Sequence, residues 1–302
     1  MTVFVLGAGA IGSLYAAKLA ARHDVTVLAR PDHAERIARD GLRVVGVEAW
    51  TARVRAVTAV RAIPPGAVAL LTTKVNDNES TIAAIEDVGA GTTIVCVQNG
   101  LGGEDIVRRV LDSRGPSERA TVLRAVTQFG AIFQEPGVVD FKVAGFTLVE
   151  SREPGAAIAA MLTESGLEGR LSDDIQKDVW RKLIFNCVIN PITSITGGHV
   201  GSIADPGLDP LKQLVIDECL AVAAAAGVTF DVDFLAALTT VFGPSRNIAS
   251  MRQDLLRGKT TEIDFMNGAV VDLGRRHGID CPVNAALVSI IKTLERRKIA
   301  SL

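Results

Sequence analysis

Val3-Phe4-Val5-Leu6-Gly7-Ala8-Gly9-Ala10-Ile11-Gly12 runs four apolar residues into a glycine-rich turn. Residues 3–6 read as a short buried strand, and residues 11–21 as the Ala-rich helix that follows the turn. Residues 25–29 make a second apolar strand and residues 33–40 the next helical stretch. A strand, a crossover helix and a second strand in this order open a parallel, doubly wound sheet. Within the turn, Gly7 permits the tight bend and Gly9 lets the backbone approach a pyrophosphate. Gly12 allows close packing of helix on strand, with the helix N-terminus aimed at the phosphates. Alone, GxGxxG is a weak signal. Placed between the first strand and first helix of a βαβ unit, it marks Gly7, Ala8, Gly9, Ala10, Ile11 and Gly12 as a dinucleotide-binding turn of Rossmann type.

The tip of the second strand selects the nucleotide. NAD enzymes place an acid there to accept from the ribose 2′-hydroxyl, whereas an arginine accommodates a 2′-phosphate. This chain has Leu28-Ala29-Arg30-Pro31. Arg30 can hold a phosphate through two parallel hydrogen bonds, and NADPH is the expected cofactor. The plain alternative is an exposed strand-end arginine.

Residues 68–73 and 93–98 continue the sheet, separated by a helix near residues 79–87. Residues 121–150 alternate in shorter pieces broken by Gly130, Pro136-Gly137 and Gly145, a texture of strands closing the sheet, some antiparallel. Beyond residue 172 the pattern turns helical, with helices near 174–195, 210–226, 233–241, 248–256, 262–277 and 285–297. The expected architecture is α/β: a Rossmann-type doubly wound sheet over residues 1–172, then an all-α domain over residues 173–302.

The most informative segment of the second half is Trp180-Arg181-Lys182-Leu183-Ile184-Phe185-Asn186-Cys187-Val188-Ile189-Asn190-Pro191. Lys182, Asn186 and Asn190 recur every fourth position and share one helix face. The other faces are apolar, so the helix is expected to be buried, and Pro191 should kink or end it. One amine and two amides in a line on a buried helix make a small polar site. Desolvation lowers a lysine pKa towards the range of a general acid. The alternative is Lys182 snorkelling to solvent with the asparagines bonded to nearby backbone. Asn247 and Ser250 stand three apart on a short helix carrying Ile248, Met251 and Leu255 inward, which Gly258 ends. Thr261 reads as the next N-cap, with Asp264 in the capping-box position. Glu262 then falls in the first turn, where compensation of the helix dipole is the simplest role. Lys74 and Asn99 each follow a strand, at the carboxyl edge where open α/β sheets bind ligands, although Asn99-Gly100 is also a turn signal. The histidines fall in or near turns or before a strand, so a histidine-based hydride-transfer acid is disfavoured.

The 302 residues suffice for two cores. With 48% apolar residues, 22% charged residues and a net charge of −2, they carry no footprint for nucleic acid or an anionic membrane. Cys96, Cys187, Cys219 and Cys281 are dispersed, suggesting neither a metal site nor a disulfide framework. The mean hydropathy of +0.30 reflects Ala and Val rather than a membrane span. No leader precedes the first strand, and a cytoplasmic monomer or homodimer is expected.

Taken together, the glycine turn, Arg30, Lys74, Gln98-Asn99-Gly100, Trp180 to Pro191, Asn247 to Asp254 and Thr261 to Gly268 resemble the ketopantoate reductase (2-dehydropantoate 2-reductase) family. The blocks WRKxxxNCVINPIT and NIASMRQD…TEIDFMNG carry the resemblance more specifically than the glycines do. It implies NADPH-dependent reduction of the 2-oxoacid 2-dehydropantoate to (R)-pantoate, on the route to pantothenate and coenzyme A. Lys182 would be the general acid. Asn186, Asn190, Ser250, Asn247 and Asn99 would contact the substrate. Glu262 would complete the polar site and count among both catalytic and cofactor-binding residues. Lys74 and Asn99 would hold the nicotinamide-ribose end, and Arg30 the 2′-phosphate. Two stretches depart from the family pattern: Val75-Asn76-Asp77, where Ala and an aromatic residue are usual, and Thr147-Leu148-Val149-Glu150, where a glycine is usual. A paralogue reducing another small 2-oxoacid and a non-catalytic NADPH sensor are the rival readings.

Overall fold

Runs of Val, Leu and Ile without a polar face form strands covered on both sides, and the first unit is built on them. The computed structural model describes residues 1–115 and 120–299. The chain divides into one unit of Met1–Gln98 with Gly102–Ile175, and another of Asn99–Leu101 with the chain from Gln176 onward.

In the first unit, β1 (Thr2–Leu6), α1 (Ala10–Leu19), β2 (Asp24–Leu28) and α2 (Pro31–Asp40) form the opening βαβα unit. There follow β3 (Leu42–Gly46), β4 (Trp50–Ala52), β5 (Arg55–Val57), β6 (Ala62–Ile63) and β7 (Val68–Leu71). Next come α3 (Asn78–Ala83), β8 (Asp87–Val88), β9 (Thr93–Cys96) and α4 (Gly103–Asp112). The unit finishes with β10 (Thr121–Thr127), β11 (Gly130–Glu135), β12 (Val138–Val143), β13 (Thr147–Glu150), α5 (Gly155–Glu164) and β14 (Gly169–Ser172). The main sheet has the order β14-β13-β10-β9-β7-β1-β2-β5. From β10 to β5 it is parallel, whereas β13 runs antiparallel to β10. The order reverses between β1 and β7, so the glycine turn after β1 and the Thr72-Thr73-Lys74 segment after β7 meet at the switch point, where such sheets bind ligands.

β10 and β13 join the main sheet, but β11 and β12 do not. They pair with β3 and β4 in a second sheet of order β11-β12-β3-β4, with β12 parallel to β3 from Val138↔Arg43 to Phe141↔Gly46. Burial explains the pairing. Val139 and Phe141 of β12 join Val44 of β3 and Leu14 and Tyr15 of α1 in one core. Residues 12–19 of α1 are all buried. An Ala-rich helix with no polar face needs cover on more than one side, and the second sheet provides it.

The second unit contains α6 (Ile175–Thr196), α7 (Asp209–Ala225), α8 (Phe234–Ala237), α9 (Ser250–Leu256), α10 (Asn267–Arg276) and α11 (Pro282–Ile299). A π-helical turn, Leu238–Phe242, directly follows α8. Trp180, Leu183, Ile184, Cys187, Val188 and Ile192 of α6 share a core with Val215, Cys219 and Val222 of α7, Val270 of α10 and Ile291 of α11. Three expectations give way here. Of the kink or stop expected at Pro191, the stop does not occur, and α6 runs on to Thr196. The carbonyl of Cys187, which Pro191 leaves without its helical donor, accepts from Asn267 Nδ2 at 2.9 Å. Asn247 precedes α9 rather than lying on it. Finally, Thr261 does not open a long helix: a 3₁₀ turn, Ile263–Phe265, intervenes before α10. The Thr261 hydroxyl does accept from Ile263 N at 3.2 Å while donating to Glu295 at 2.6 Å, but no capping box forms, because Asp264 pairs with Lys292.

All four cysteines are buried and free. His33, expected near a turn, lies buried within α2.

Candidate active site

The candidate nucleotide-binding turn is built from backbone. Gly7 has φ +116°, and a Cβ there would stand 2.7 Å from the Thr73 nitrogen. A Cβ on Gly12 would stand 1.9 Å from the Gly7 carbonyl oxygen, so α1 can approach the turn only without one. At Gly9 a Cβ would meet nothing within 4 Å. That open face lies at the N-cap of α1, where no side chain caps the helix and no acid occupies the first turn. Helix geometry leaves the first-turn amides without intrahelical acceptors, and they fit an anion such as a pyrophosphate. The turn is pinned from β7: Thr72 Oγ1 donates to Gly7 O at 2.8 Å, and Thr73 N to Leu6 O at 3.0 Å. Arg30 is exposed at the tip of β2, as the N-cap of α2, with Pro31 in the first turn.

A buried hub orders the loops beyond β7 and β9. Asn78, fully buried at the start of α3, accepts from Gln98 Nε2 at 2.7 Å and from Thr73 Oγ1 at 3.1 Å. Its own Nδ2 donates to Gly103 O at 3.2 Å. Arg124 Nη2 donates to the Gln98 carbonyl at 2.7 Å. Lys74, half-buried, lies between Thr73 and the 3₁₀ turn Val75–Asp77, and Asn99 directly follows Gln98. The hub thus fixes the backbone on which both candidates stand. Sequence reading missed it; its sole signal was two amide-bearing residues, Asn78 and Gln98, beside apolar strands.

The second unit carries the candidate catalytic and substrate-binding side chains. Lys182 and Asn186 are half-buried on α6, and Asn190 is buried one turn further along. Asn186 Nδ2 is buried and has no acceptor among the described residues. Asn190 Nδ2 donates to Met266 Sδ at 3.4 Å. With Asn267 bonded to Cys187, this contact sets the polar line of α6 against the segment that starts at Glu262. Half-buried Glu262 is the N-cap of the 3₁₀ turn, and its carbonyl accepts from Phe265 N at 3.0 Å. Leu101 N donates to Phe265 O at 3.0 Å, which brings the Asn99–Leu101 segment to the same turn. Asn247 and Ser250 flank the other end of α6. The Asn247 carbonyl accepts from Val200 N at 2.7 Å, and Arg252 Nη1 donates to Gly198 O at 2.7 Å. Ser250 is exposed as the first residue of α9.

Lys182, Asn186, Asn190, Glu262 and Asn99 therefore sit on neighbouring elements of one unit, although they are scattered over 164 positions of sequence from Asn99 to Glu262. Among the described residues, no group of His, Cys, Asp and Glu could hold a metal ion.

The family model described as Ketopantoate reductase PanE/ApbA matches residues 3–153, and its C-terminal counterpart matches residues 174–295. A 2-dehydropantoate 2-reductase of Archaeoglobus fulgidus is 34% identical over 306 residues, covering 97% of each chain. The crystal structure of a PanE/ApbA family ketopantoate reductase from Ralstonia eutropha JMP134 is 31% identical with a TM-score of 0.89, over 99% of both chains. D-mandelate dehydrogenase, solved with NADH, is 25% identical with a TM-score of 0.85, over 98% of this chain and 99% of that one. Both units and the chain order of the motifs are matched, and the chain belongs to the ketopantoate reductase family.

Proposed function

We propose that this chain reduces 2-dehydropantoate to (R)-pantoate with NADPH, in the biosynthesis of pantothenate and coenzyme A, using Lys182 as the general acid. The observation that supports the reading most is the line of Lys182, Asn186 and Asn190 along the stretch of α6 whose Val179, Trp180, Leu183, Ile184, Cys187, Val188 and Ile192 are buried. Bound NADPH would supply hydride from its nicotinamide C4. The glycine turn and its first-turn amides hold the pyrophosphate, Arg30 the 2′-phosphate, and Lys74 and Asn99 the nicotinamide-ribose end.

As the ketone carbon accepts hydride, negative charge gathers on its oxygen. An ammonium at Lys182 Nζ stabilises that charge and passes its proton to the oxygen, which becomes the product hydroxyl. The buried Nδ2 of Asn186 is a donor in want of an acceptor, and a carboxylate or hydroxyl of the substrate supplies one. Asn190, Asn247 and Ser250 extend the polar surface, and Glu262 completes it.

A second reading is supported by the likeness to D-mandelate dehydrogenase and by Val75-Asn76-Asp77 after Lys74. It keeps Lys182 and changes the 2-oxoacid. Steady-state rates with 2-dehydropantoate beside a panel of other 2-oxoacids separate the two. The first reading expects the highest kcat/KM for 2-dehydropantoate; turnover confined to another acid would replace it with the second.

A further inference from the structure

α6 contains a proline in its interior and yet continues for another turn, and the manner of its repair points to a residue outside the substrate-binding set. In a regular helix the amide of residue 191 would donate to the carbonyl of Cys187. Pro191 has no such hydrogen, and its ring crowds that same carbonyl, a combination that ordinarily kinks or breaks a helix. Cys187 and Pro191 bracket the turn that separates Asn186 from Asn190. A kink there would leave Lys182 and Asn186 on one axis and swing Asn190 onto another.

The missing donor comes from 80 residues away. Asn267, fully buried at the first position of α10, donates Nδ2 to the Cys187 carbonyl at 2.9 Å and to Asn284 Oδ1 at 2.8 Å. Its orientation is dictated by a relay. Glu218 on α7 accepts from the backbone amides of Val283 and Asn284 at 2.8 and 2.9 Å, and from Asn284 Nδ2 at 2.7 Å. Asn284 must therefore present its oxygen to Asn267, and Asn267 must present its nitrogen to Cys187. A flipped Asn267 would set its oxygen against two acceptors. Asn267 Oδ1 has no partner among the described residues, so both hydrogens are used while the acceptor stands idle. The neighbouring Met266 receives Asn190 Nδ2, so the same stretch touches the helix twice, at Cys187 and at Asn190, within the turn that leads into the proline.

We propose that Asn267 is a positioning residue: its amide replaces the hydrogen bond that Pro191 removes and so holds Asn190 in register with Lys182 and Asn186. The inference rests on the role given above to the Lys182 line, and Asn267 itself acts only through α6.

The test is a rescue. Asn267→Ala should lower kcat roughly 10- to 100-fold, the scale of loss for a displaced catalytic group, while the Kd for NADPH stays unchanged. Pro191→Ala placed in the same chain returns an amide hydrogen to the Cys187 carbonyl and should recover most of the lost kcat. A loss that Pro191→Ala does not repair, or one shared equally by kcat and NADPH affinity, would overturn the proposal. Should Asn267→Ala alone not fold, the double variant is still expected to fold and turn over; an unfolded or inactive double variant would contradict it. The side-chain amide signals of Asn186 and Asn190 in 15N-asparagine-labelled protein provide a readout that needs no substrate. They are expected to shift in Asn267→Ala and return in the double variant, and unmoved signals would refute the role of Asn267. A wild-type chain that did not turn over 2-dehydropantoate would fail the proposed function, whereas these signals test Asn267 independently of it.

Discussion

Arg30 and His33 stand three positions apart around the start of α2 and are governed by opposite environments. Arg30 is exposed, and a guanidinium offers a planar fork of donors that matches a phosphate. Arg30→Ala is expected to weaken NADPH binding by roughly 1.5–3 kcal/mol, the range for hydrogen bonds to charged groups, and NADH binding little. Titration calorimetry with both nucleotides checks this, and equal losses would remove Arg30 from the 2′-phosphate. His33 is buried. Its Nδ1 accepts from Gly137 N at 2.8 Å, which assigns the ring proton to Nε2, 3.2 Å from Ser13 Oγ. Burial pushes its pKa below the ordinary 6.5, and nearby Asp32 opposes that shift only in part. The unfolded chain thus takes up a proton that the folded chain refuses. The stability His33 contributes is complete above pH 6.5 and is lost as pH falls below it. The melting temperature of the wild type should therefore drop more steeply than that of His33→Gln on acidification through this window. Parallel slopes would mean that His33 does not couple folding to pH.

At the scale of elements, what could be read in advance was what is local. The βαβ opening and its glycines lie within about thirty residues, and the α6 stripe repeats every four, so periodicity exposes both. Pairings between distant segments left no such trace. β11 and β12 carry ordinary strand patterns, and nothing in them distinguishes closing the main sheet from pairing with β3, almost a hundred residues earlier. Pro191 signals a kink or a stop by local rules, whereas α6 runs on to Thr196 with Asn267 donating to the carbonyl that the proline leaves without its helical donor. Asn78 was hidden for the same reason, since its partners Gln98 and Gly103 belong to a later strand end and helix start. Replacing it tests how far the loops after β7 and β9 depend on one amide. Asn78→Ala leaves buried partners unsatisfied and should cost about 1–3 kcal/mol, measured as a lower urea midpoint with an unchanged slope. An unaltered midpoint would show that water or a rearranged Gln98 takes its place.

Across the whole molecule, the proposed roles divide by unit. Backbone amides and one arginine in the first suit a nucleotide, while an amine, a carboxylate and several amides in the second suit a small polar acid. Among the described residues no helix is long and apolar enough to cross a membrane. Whether Lys182 supplies the proton in NADPH-dependent reduction of 2-dehydropantoate is decided by the rate of NADPH oxidation in the presence of 2-dehydropantoate, followed by the loss of reduced-nicotinamide absorbance, for the wild type beside Lys182→Ala at saturating NADPH. Rapid turnover is expected of the wild type and a kcat lower by about 10²–10⁴ of the variant, with NADPH still bound. Near-normal turnover by Lys182→Ala, or none by the wild type, would contradict it.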